Sequence, residues 1–341
     1  MAQQVNVTII GLDRIGTSFG MALKRQSKAP NTPHQFAVLG SDPDSSAMKA
    51  AHKLGAIDQE ERSTRSAVEK ADIVFVNVPY GSVQDLYSEI GQALKPGVVV
   101  LDASPLKLPS IQWANEHFRR SPEGHLEAYL VGVSLLWWPD NLNSARIHTE
   151  SAQADLFDNG MMILSPANDC PAEAVQLAAD LASALNLKAH FTDPAEYDGM
   201  MASMEGLPLL LQLALFRSIN DSEGWNDLQK VANPSFGLGT YRLGQGTPDD
   251  YASVIHLNRE NVLRTLATTI DKLSEVRDLI ASGDDIILSH AFEDTMQKYE
   301  KWLMARRKND WGELPKTEVG STLNLLGPLG NLFSPRGKKK Q

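Results

Sequence analysis

The sequence has little cysteine, no excess of positive charge and no long apolar run. Cys170 is the one cysteine among 341 residues, which excludes an intrachain disulfide framework and a multi-cysteine metal site. The formal net charge of −10 gives no general attraction to nucleic acid or to an anionic membrane. No basic segment followed by an apolar stretch opens the chain, and no run of about 18 apolar residues predicts a membrane span. We therefore expect a soluble cytoplasmic protein without a metal site.

The length and the order of apolar patterns predict two domains. The chain is 42% hydrophobic and 22% charged, which is ordinary globular composition. Strand and helix patterns alternate to about residue 165, and long helical patterns follow. This order is typical of an α/β doubly wound parallel sheet followed by an all-helical domain. We predict a dinucleotide-binding domain over 1–166, a helical substrate and dimerisation domain over 167–308, and a flexible tail over 309–341.

The first segment carries the clearest functional signal. A β-branched run ends at Gly11, and apolar residues at helical spacing begin at Ile15. Strand, glycine turn and helix form the entry unit of a dinucleotide-binding fold, in which free N–H groups at the helix start face a pyrophosphate. Gly16 lets the helix pack close to the strand. The structural alternative is a strand–helix–strand unit that binds no nucleotide.

Asp13 stands where the G-x-G-x-x-G pattern has its middle glycine. A carboxylate about 4 Å from a phosphate charge would cost roughly 4 kcal/mol at an effective dielectric near 20. Either the Asp13 side chain points away from the phosphates or the pocket is altered.

Asp42 follows the second predicted strand and is placed to accept hydrogen bonds from a ribose diol. It would repel a 2′-phosphate, so it favours NAD over NADP. The alternative is a loop aspartate that caps the helix beginning near Asp44. The buried strand over 71–78 ends at Pro79, again at a ligand-binding edge. The predicted cofactor-binding residues are Gly11, Leu12, Asp13, Arg14, Ile15, Gly16, Asp42, Val78 and Pro79.

Several segments, in order, resemble the prephenate and arogenate dehydrogenases of tyrosine biosynthesis. Asp102–Lys107 is similar to an Asp-x-Gly-Ser-x-Lys motif, and Phe236–Arg242 is similar to a Gly-Phe…Thr-Arg segment. The glycine turn, the 71–79 strand, the 155–166 block and the 197–208 segment also match in order. The resemblance implies hydride transfer from a carboxylated cyclic alcohol to a nicotinamide, and a small-molecule substrate. The apolar faces of the helical domain exceed what one chain can bury, which predicts a homodimer formed through that domain.

The resemblance carries over the fold better than the catalytic residues. The family's catalytic histidine corresponds to Ser134, which is a poor base near neutral pH. A second family histidine corresponds to Leu209, and the motif serine to Pro105 with Ser104 adjacent. His148, His190 and His256 give no replacement by spacing. The predicted catalytic and substrate-binding residues are Ser134, Arg242, Lys107 and Ser104.

Two other functions stay open on these residues. The apolar Leu135 to Trp138 would suit a reductase that acts on a less polar substrate. A non-catalytic binding or regulatory protein on the same scaffold would explain Asp13, Pro105, Ser134 and Leu209 together.

Overall fold

The computed structural model describes residues 3–30, 32–137 and 148–308. The chain forms two compact units, which divide after Pro194; the unit that begins at Ala195 extends to Met304. This division is later than the predicted boundary at 166, because the residues between them add a helix and a strand to the first unit. Trp138 and the predicted tail over 309–341 lie outside the described residues.

The first unit contains one sheet of eight strands among the described residues. The strands are β1 (Gln3–Ile10), β2 (His34–Ser41), β3 (Gln59–Glu60), β4 (Ile73–Val76), β5 (Val99–Asp102), β6 (Tyr129–Leu136), β7 (Met161–Pro166) and β8 (Lys188–Phe191). Their spatial order is β3-β2-β1-β4-β5-β6-β7-β8, and only the β6–β7 pair is antiparallel. The strand order reverses between β1 and β4, which is the crevice where such sheets bind ligands.

Helices connect the strands, and the predicted doubly wound α/β fold is confirmed. They are α1 (Arg14–Ser27), α2 (Ser45–Lys53), α3 (Thr64–Val68), α4 (Val83–Ile90), α5 (Leu108–His117) and α6 (Ala172–Ala184). All four residues of β4 and all four of β5 are buried, as expected of central parallel strands covered on both faces. Phe19 of α1 stacks on Phe75 of β4 with ring centroids 4.1 Å apart, so the glycine-turn helix is fixed directly to the sheet.

The single cysteine lies in the loop before α6. Cys170 is half-buried, and burial raises the pKa of its thiol to about 12. The thiol therefore stays protonated near neutral pH and is a poor nucleophile.

The second unit is helical, as predicted. Its helices are α7 (Pro194–Met201), α8 (Leu207–Asn220), α9 (Trp225–Leu228), α10 (Pro234–Thr240), α11 (Pro248–Leu257), α12 (Arg259–Ala281) and α13 (Asp285–Lys308). One π-helical turn, Ala202–Gly206, joins α7 to α8. Pro208 lies in the first turn of α8, where its missing N–H is tolerated, so a new helical segment begins there.

Many large apolar side chains of the second unit face outward. Along α13, Phe292, Met296 and Tyr299 recur at helical spacing and are 63%, 61% and 55% exposed. The stretch Pro194–Asn220 is also long and apolar enough to cross a membrane by length and composition, with a mean hydropathy of 1.4. The expectation that no apolar run reaches span length is therefore wrong by that criterion. A helix whose apolar face packs on a partner subunit has the same length and composition.

Candidate active site

Two glycines shape the turn between β1 and α1. Gly11 has φ +93°, and a Cβ there would lie 1.9 Å from the carbonyl oxygen of Asn77. A Cβ at Gly16 would lie 2.0 Å from the carbonyl oxygen of Gly11. Neither position has room for a side chain, so the turn brings the start of α1 against the ends of β1 and β4. This is the cradle that a dinucleotide pyrophosphate needs.

The Asp13 carboxylate lies on the helix start. It is the N-cap of α1, and its Oδ1 accepts hydrogen bonds from the backbone N–H of Ile15 (2.7 Å) and of Gly16 (3.0 Å). The side-chain amide of Asn77 donates to the same oxygen at 2.6 Å. The carboxylate thus occupies N–H groups that would otherwise face an anion.

Two opposing influences act on the Asp13 carboxyl. The residue as a whole is exposed, but its carboxyl group lies against the turn. Desolvation there raises its pKa above 3.8, the three hydrogen bonds lower it, and the charge of Asp42 raises it further. The net effect is a raised pKa, so the ionised Asp13 carboxylate is less favourable in this turn than it is in water.

Asp42 faces the same turn from the end of β2. Its Oδ2 accepts from the backbone N–H of Leu12 at 2.7 Å, and its Oδ1 accepts from that of Asp44 at 2.8 Å. Asp44, and not Asp42, is the N-cap of α2, so the capping interpretation of Asp42 is wrong. A carboxylate has about four acceptor sites, so Asp42 keeps capacity for a ribose hydroxyl.

Two residues of the β6–β7 connection, Trp137 directly after β6 and Thr149 further along, lie against the glycine turn and the start of α1. Thr149 is buried and donates to the carbonyl oxygen of Leu12 at 2.6 Å. The guanidinium of Arg14 lies 5.0 Å from the ring centroid of Trp137, in cation–π geometry. Arg14 is itself buried. Trp137 therefore packs as a cover over the turn, and Arg14 acts through that packing.

Val78 and Pro79 follow β4 beside the turn. Val78 is half-buried and Pro79 is exposed. The backbone nitrogen of Val78 lies 3.3 Å from the position of a Cβ on Gly11. Both predicted residues are therefore at the carboxyl edge of the sheet, next to Asn77.

A buried polar cluster lies at the end of β5. The Lys107 ammonium donates to the carbonyl oxygens of Asp102 (3.1 Å), Ser104 (2.5 Å) and Val133 (2.7 Å). Lys107 is only 1% exposed, and a Cβ on Gly132 would lie 2.7 Å from its Cδ. Its ammonium ties the end of β5 to β6, so the geometry gives Lys107 a positioning role instead of the predicted direct one.

The Ser104 hydroxyl is buried and has no partner among the described residues, as is also true of Asp102 Oδ2 and of the Ser165 hydroxyl. Its backbone N–H donates to Oδ1 of Asp102 at 2.9 Å. A buried hydroxyl without a partner is costly. Ser104 is therefore one of the buried groups at this edge that a bound ligand would satisfy.

Ser134 lies on β6, two residues beyond Gly132, which pairs with the last residue of β5. It is half-buried and follows Val133, whose carbonyl Lys107 holds. In the sheet, Ser134 pairs with Ile163, and Ile163 pairs with His190. His190 is therefore two strands away in the same row, roughly 10 Å across the sheet, and is too far to replace a catalytic histidine. His148 and His256 are exposed, in the loop before Thr149 and in the last turn of α11.

In the helical unit, Arg242 is held from three sides. Its backbone N–H donates to Oε1 of Gln212 at 3.0 Å, and its carbonyl accepts from the hydroxyl of Tyr251. Its guanidinium forms an ion pair with Glu205, which lies in the π-helical turn. The sequence predicted Arg242 as a site residue but did not predict its partner Glu205. The signal available was the acidic residue directly before Gly206-Leu207-Pro208.

A doubly wound sheet with a glycine turn at its switch point, followed by a helical unit with exposed apolar faces, defines a two-domain nucleotide-binding protein. The model of the prephenate dehydrogenase nucleotide-binding domain matches residues 19–122, and that of the prephenate dehydrogenase dimerization domain matches residues 193–298. Together they match more than half of the chain. The chain belongs to the prephenate dehydrogenase family, whose members are NAD-dependent oxidoreductases.

Individual relatives agree with this membership. A prephenate dehydrogenase of Lactococcus lactis is 25% identical over 289 residues, which are 84% of this chain and 75% of the relative. One of Bacillus subtilis is 23% identical over 312 residues, which are 89% and 77% of the two chains. The first domain match begins after Gly16, so it does not include the turn that carries Asp13.

Solved structures show the same fold. A prephenate dehydrogenase of Aquifex aeolicus, in complex with hydroxyphenyl propionate and NAD+, superposes with a TM-score of 0.71 at 18% identity and covers 87% of this chain and 98% of its own. An arogenate dehydrogenase of Synechocystis gives 0.65 at 19% identity, with 87% and 100% covered.

Proposed function

We propose that this chain is an NAD-dependent dehydrogenase that removes hydride from a carboxylated cyclic alcohol of the prephenate or arogenate class, in tyrosine biosynthesis. The observation that carries the proposal is the glycine turn, where both Gly11 and Gly16 are required by contacts under 2.1 Å. The Ile15 and Gly16 N–H groups at the start of α1 are suited to hold the pyrophosphate. NAD supplies the hydride acceptor when bound.

Asp13 must move for this to happen. Its carboxylate now uses the Ile15 and Gly16 N–H groups, and an N-cap bond is worth about 1 kcal/mol. The Ile15 and Gly16 N–H groups would hold the pyrophosphate only if the Asp13 side chain gave up these bonds and turned toward solvent. Asp42 accepts hydrogen bonds from the ribose diol and opposes a 2′-phosphate, so NAD binds better than NADP.

Each of the remaining predicted residues has its own role in the proposed reaction. Ser134 accepts the hydrogen bond of the substrate hydroxyl, and Lys107 positions Ser134 through the carbonyl of Val133. Ser104 supplies the buried hydroxyl that a ligand satisfies. Arg242 binds a carboxylate, for which a guanidinium is the best-suited side chain. A serine in place of a histidine base costs about 10²–10⁴ in rate, so turnover is slow.

We also propose that the protein is a cytoplasmic homodimer. The dimerization-domain match and the exposed apolar residues of α12 and α13 support this.

Calorimetric titration with NAD and NADP, followed by an assay of NADH formation with prephenate and with arogenate, tests the function. We expect NAD to bind more tightly than NADP and slow NADH formation with one substrate at high enzyme concentration. Failure of both nucleotides to bind would refute it.

One observation favours a second candidate, a non-catalytic member of the family. Asp13 occupies the N–H groups of the nucleotide turn, and Ser134 stands at the position of the base. The titration separates the two candidates, because a regulatory protein of this kind would bind neither nucleotide.

A further inference from the structure

The ion pair between Glu205 and Arg242 lies within the helical unit. The Arg242 guanidinium contacts the Glu205 carboxylate, and their side chains are 41% and 38% exposed. An ion pair that water reaches contributes little to stability. Stability of the fold therefore does not explain why Glu205 and Arg242 are paired here.

The backbone around the pair is specialised. Glu205 belongs to the π-helical turn Ala202–Gly206. An i→i+5 turn rotates the residues that follow it relative to an α-helix, and such turns are frequent at functional sites. Gly206, which follows Glu205, is buried, and a Cβ there would lie 3.3 Å from a methyl group of Val262. The turn thus packs closely on α12 while Glu205 remains accessible to solvent.

Arg242 is fixed before any ligand arrives. Gln212 of α8 holds its backbone N–H at 3.0 Å, and Tyr251 of α11 donates to its carbonyl. Only the guanidinium and the Glu205 carboxylate are left to rearrange. Two opposite charges are therefore held side by side at one accessible point.

A ligand that offers only a carboxylate fits this point poorly. It would displace Glu205 from Arg242 and leave two carboxylates near one guanidinium, and like charges disfavour each other. A ligand that offers an α-ammonium beside an α-carboxylate fits well, because the ammonium pairs with Glu205 while the carboxylate pairs with Arg242. Both protein charges then stay neutralised.

We propose that Glu205 and Arg242 together bind the α-amino acid group of the substrate, and that Glu205 selects the amino-acid form of the cyclic substrate over the keto-acid form. The inference rests on the proposed function, since it takes Arg242 as the carboxylate-binding residue, and it adds Glu205 as the determinant of specificity.

Two ligands isolate the α-ammonium. L-Tyrosine and hydroxyphenyl propionate share the ring, the chain and the carboxylate, and they differ only in that group. We expect calorimetry on the full-length protein to show that L-tyrosine binds about tenfold tighter or more, the effect of one charge-assisted hydrogen bond. Glu205→Gln should reduce the ratio to about twofold, with an unchanged melting temperature.

Matched variants complete the test. Glu223 is an exposed carboxylate of the same unit, and Glu223→Gln should keep the wild-type ratio. Arg242→Gln should weaken both ligands, because both carry the carboxylate. Equal binding of the two ligands, a ratio that survives Glu205→Gln, or failure of both to bind would overturn the proposal. Loss of NAD binding with the ligand ratio intact would instead refute the dehydrogenase and leave the amino-acid site standing.

Discussion

The two units of this protein bury their apolar residues to very different extents. In the nucleotide-binding unit, the described strands β4 and β5 are fully covered, and Phe19 and Phe75 are 0% exposed. In residues 195–304, all of which are described, the buried apolar side chains are Tyr197, Ala202, Leu209 and Val262, whereas Ile286 is 71% exposed. The first unit completes its own core, and the second leaves its apolar faces for another surface.

The functional residues follow the same division. Those of the first unit are held by buried contacts, such as the Lys107 ammonium on three carbonyls. Those of the second unit are held at an accessible ion pair, Glu205 with Arg242. We therefore expect substitutions that add side-chain volume to affect the nucleotide turn most. Substitutions that change charge should affect the Arg242 site most.

The largest effect is expected from a side chain in the glycine turn. Gly11→Ala forces a Cβ to within 1.9 Å of the Asn77 carbonyl at φ +93°, so we expect a loss of more than about 4 kcal/mol in the free energy of unfolding. Chemical denaturation measures it. Gly55→Ala is the matched control, because Gly55 has φ +72° with nothing within 4 Å, and it should cost only about 1–2 kcal/mol. Equal costs would show that the close approach is unimportant.

A charge on the exposed face of α13 should dissociate the dimer. Phe292 is 63% exposed, and Phe292→Glu would place a carboxylate in the proposed interface. We expect a penalty of about 3 kcal/mol, roughly 100-fold in the dimer dissociation constant. Sedimentation at several concentrations measures it. Gln297→Glu adds the same charge to another face of α13 and should leave the dimer intact; dissociation by both variants would argue against this face.

Removal of the Asp13 side chain should strengthen NAD binding. Asp13→Gly removes a charge next to the pyrophosphate, a gain that outweighs the lost N-cap. We expect the dissociation constant for NAD to fall about 10- to 100-fold in calorimetry. Asp42→Asn should act in the opposite direction, because it weakens the ribose contact. An unchanged affinity in Asp13→Gly would mean that the carboxylate never meets the pyrophosphate.

The smallest effect is a proton linked to NAD binding. The pKa of Asp13 is raised above 3.8 in the folded protein, so its contribution to stability is complete below pH 3.8 and is lost as pH rises through the raised value. A bound pyrophosphate would raise that pKa further, because it would take the Ile15 and Gly16 N–H bonds from the carboxylate and place negative charge near it. NAD affinity should therefore increase as pH falls from neutral toward the pKa, with proton uptake detected by calorimetry in buffers of different ionisation enthalpy. Asp13→Asn should show neither change.

Local patterns predicted much of the first unit and less of the site. The strand ending at Gly11 and the buried strand before Pro79 both appear as expected, because each depends on neighbours in the chain. The capping role weighed for Asp42 was wrong, since Asp44 caps α2. Lys107 was placed in the catalytic set, but its three carbonyl partners come from two different strands and a loop. No spacing rule contains that information.

The amino-acid sequence alone determined the strand–glycine–helix entry, the alternation that builds a doubly wound sheet, and the acidic residue in the nucleotide turn. Backbone preference and hydrophobic period are local properties, and they act before the chain is folded. Only the tertiary structure brings the Asn77 amide onto Asp13, Trp137 over Arg14, and Glu205 against Arg242. The Trp137 and Glu205 contacts join residues far apart in sequence, and only the packing of whole elements brings such side chains within hydrogen-bonding or cation–π distance.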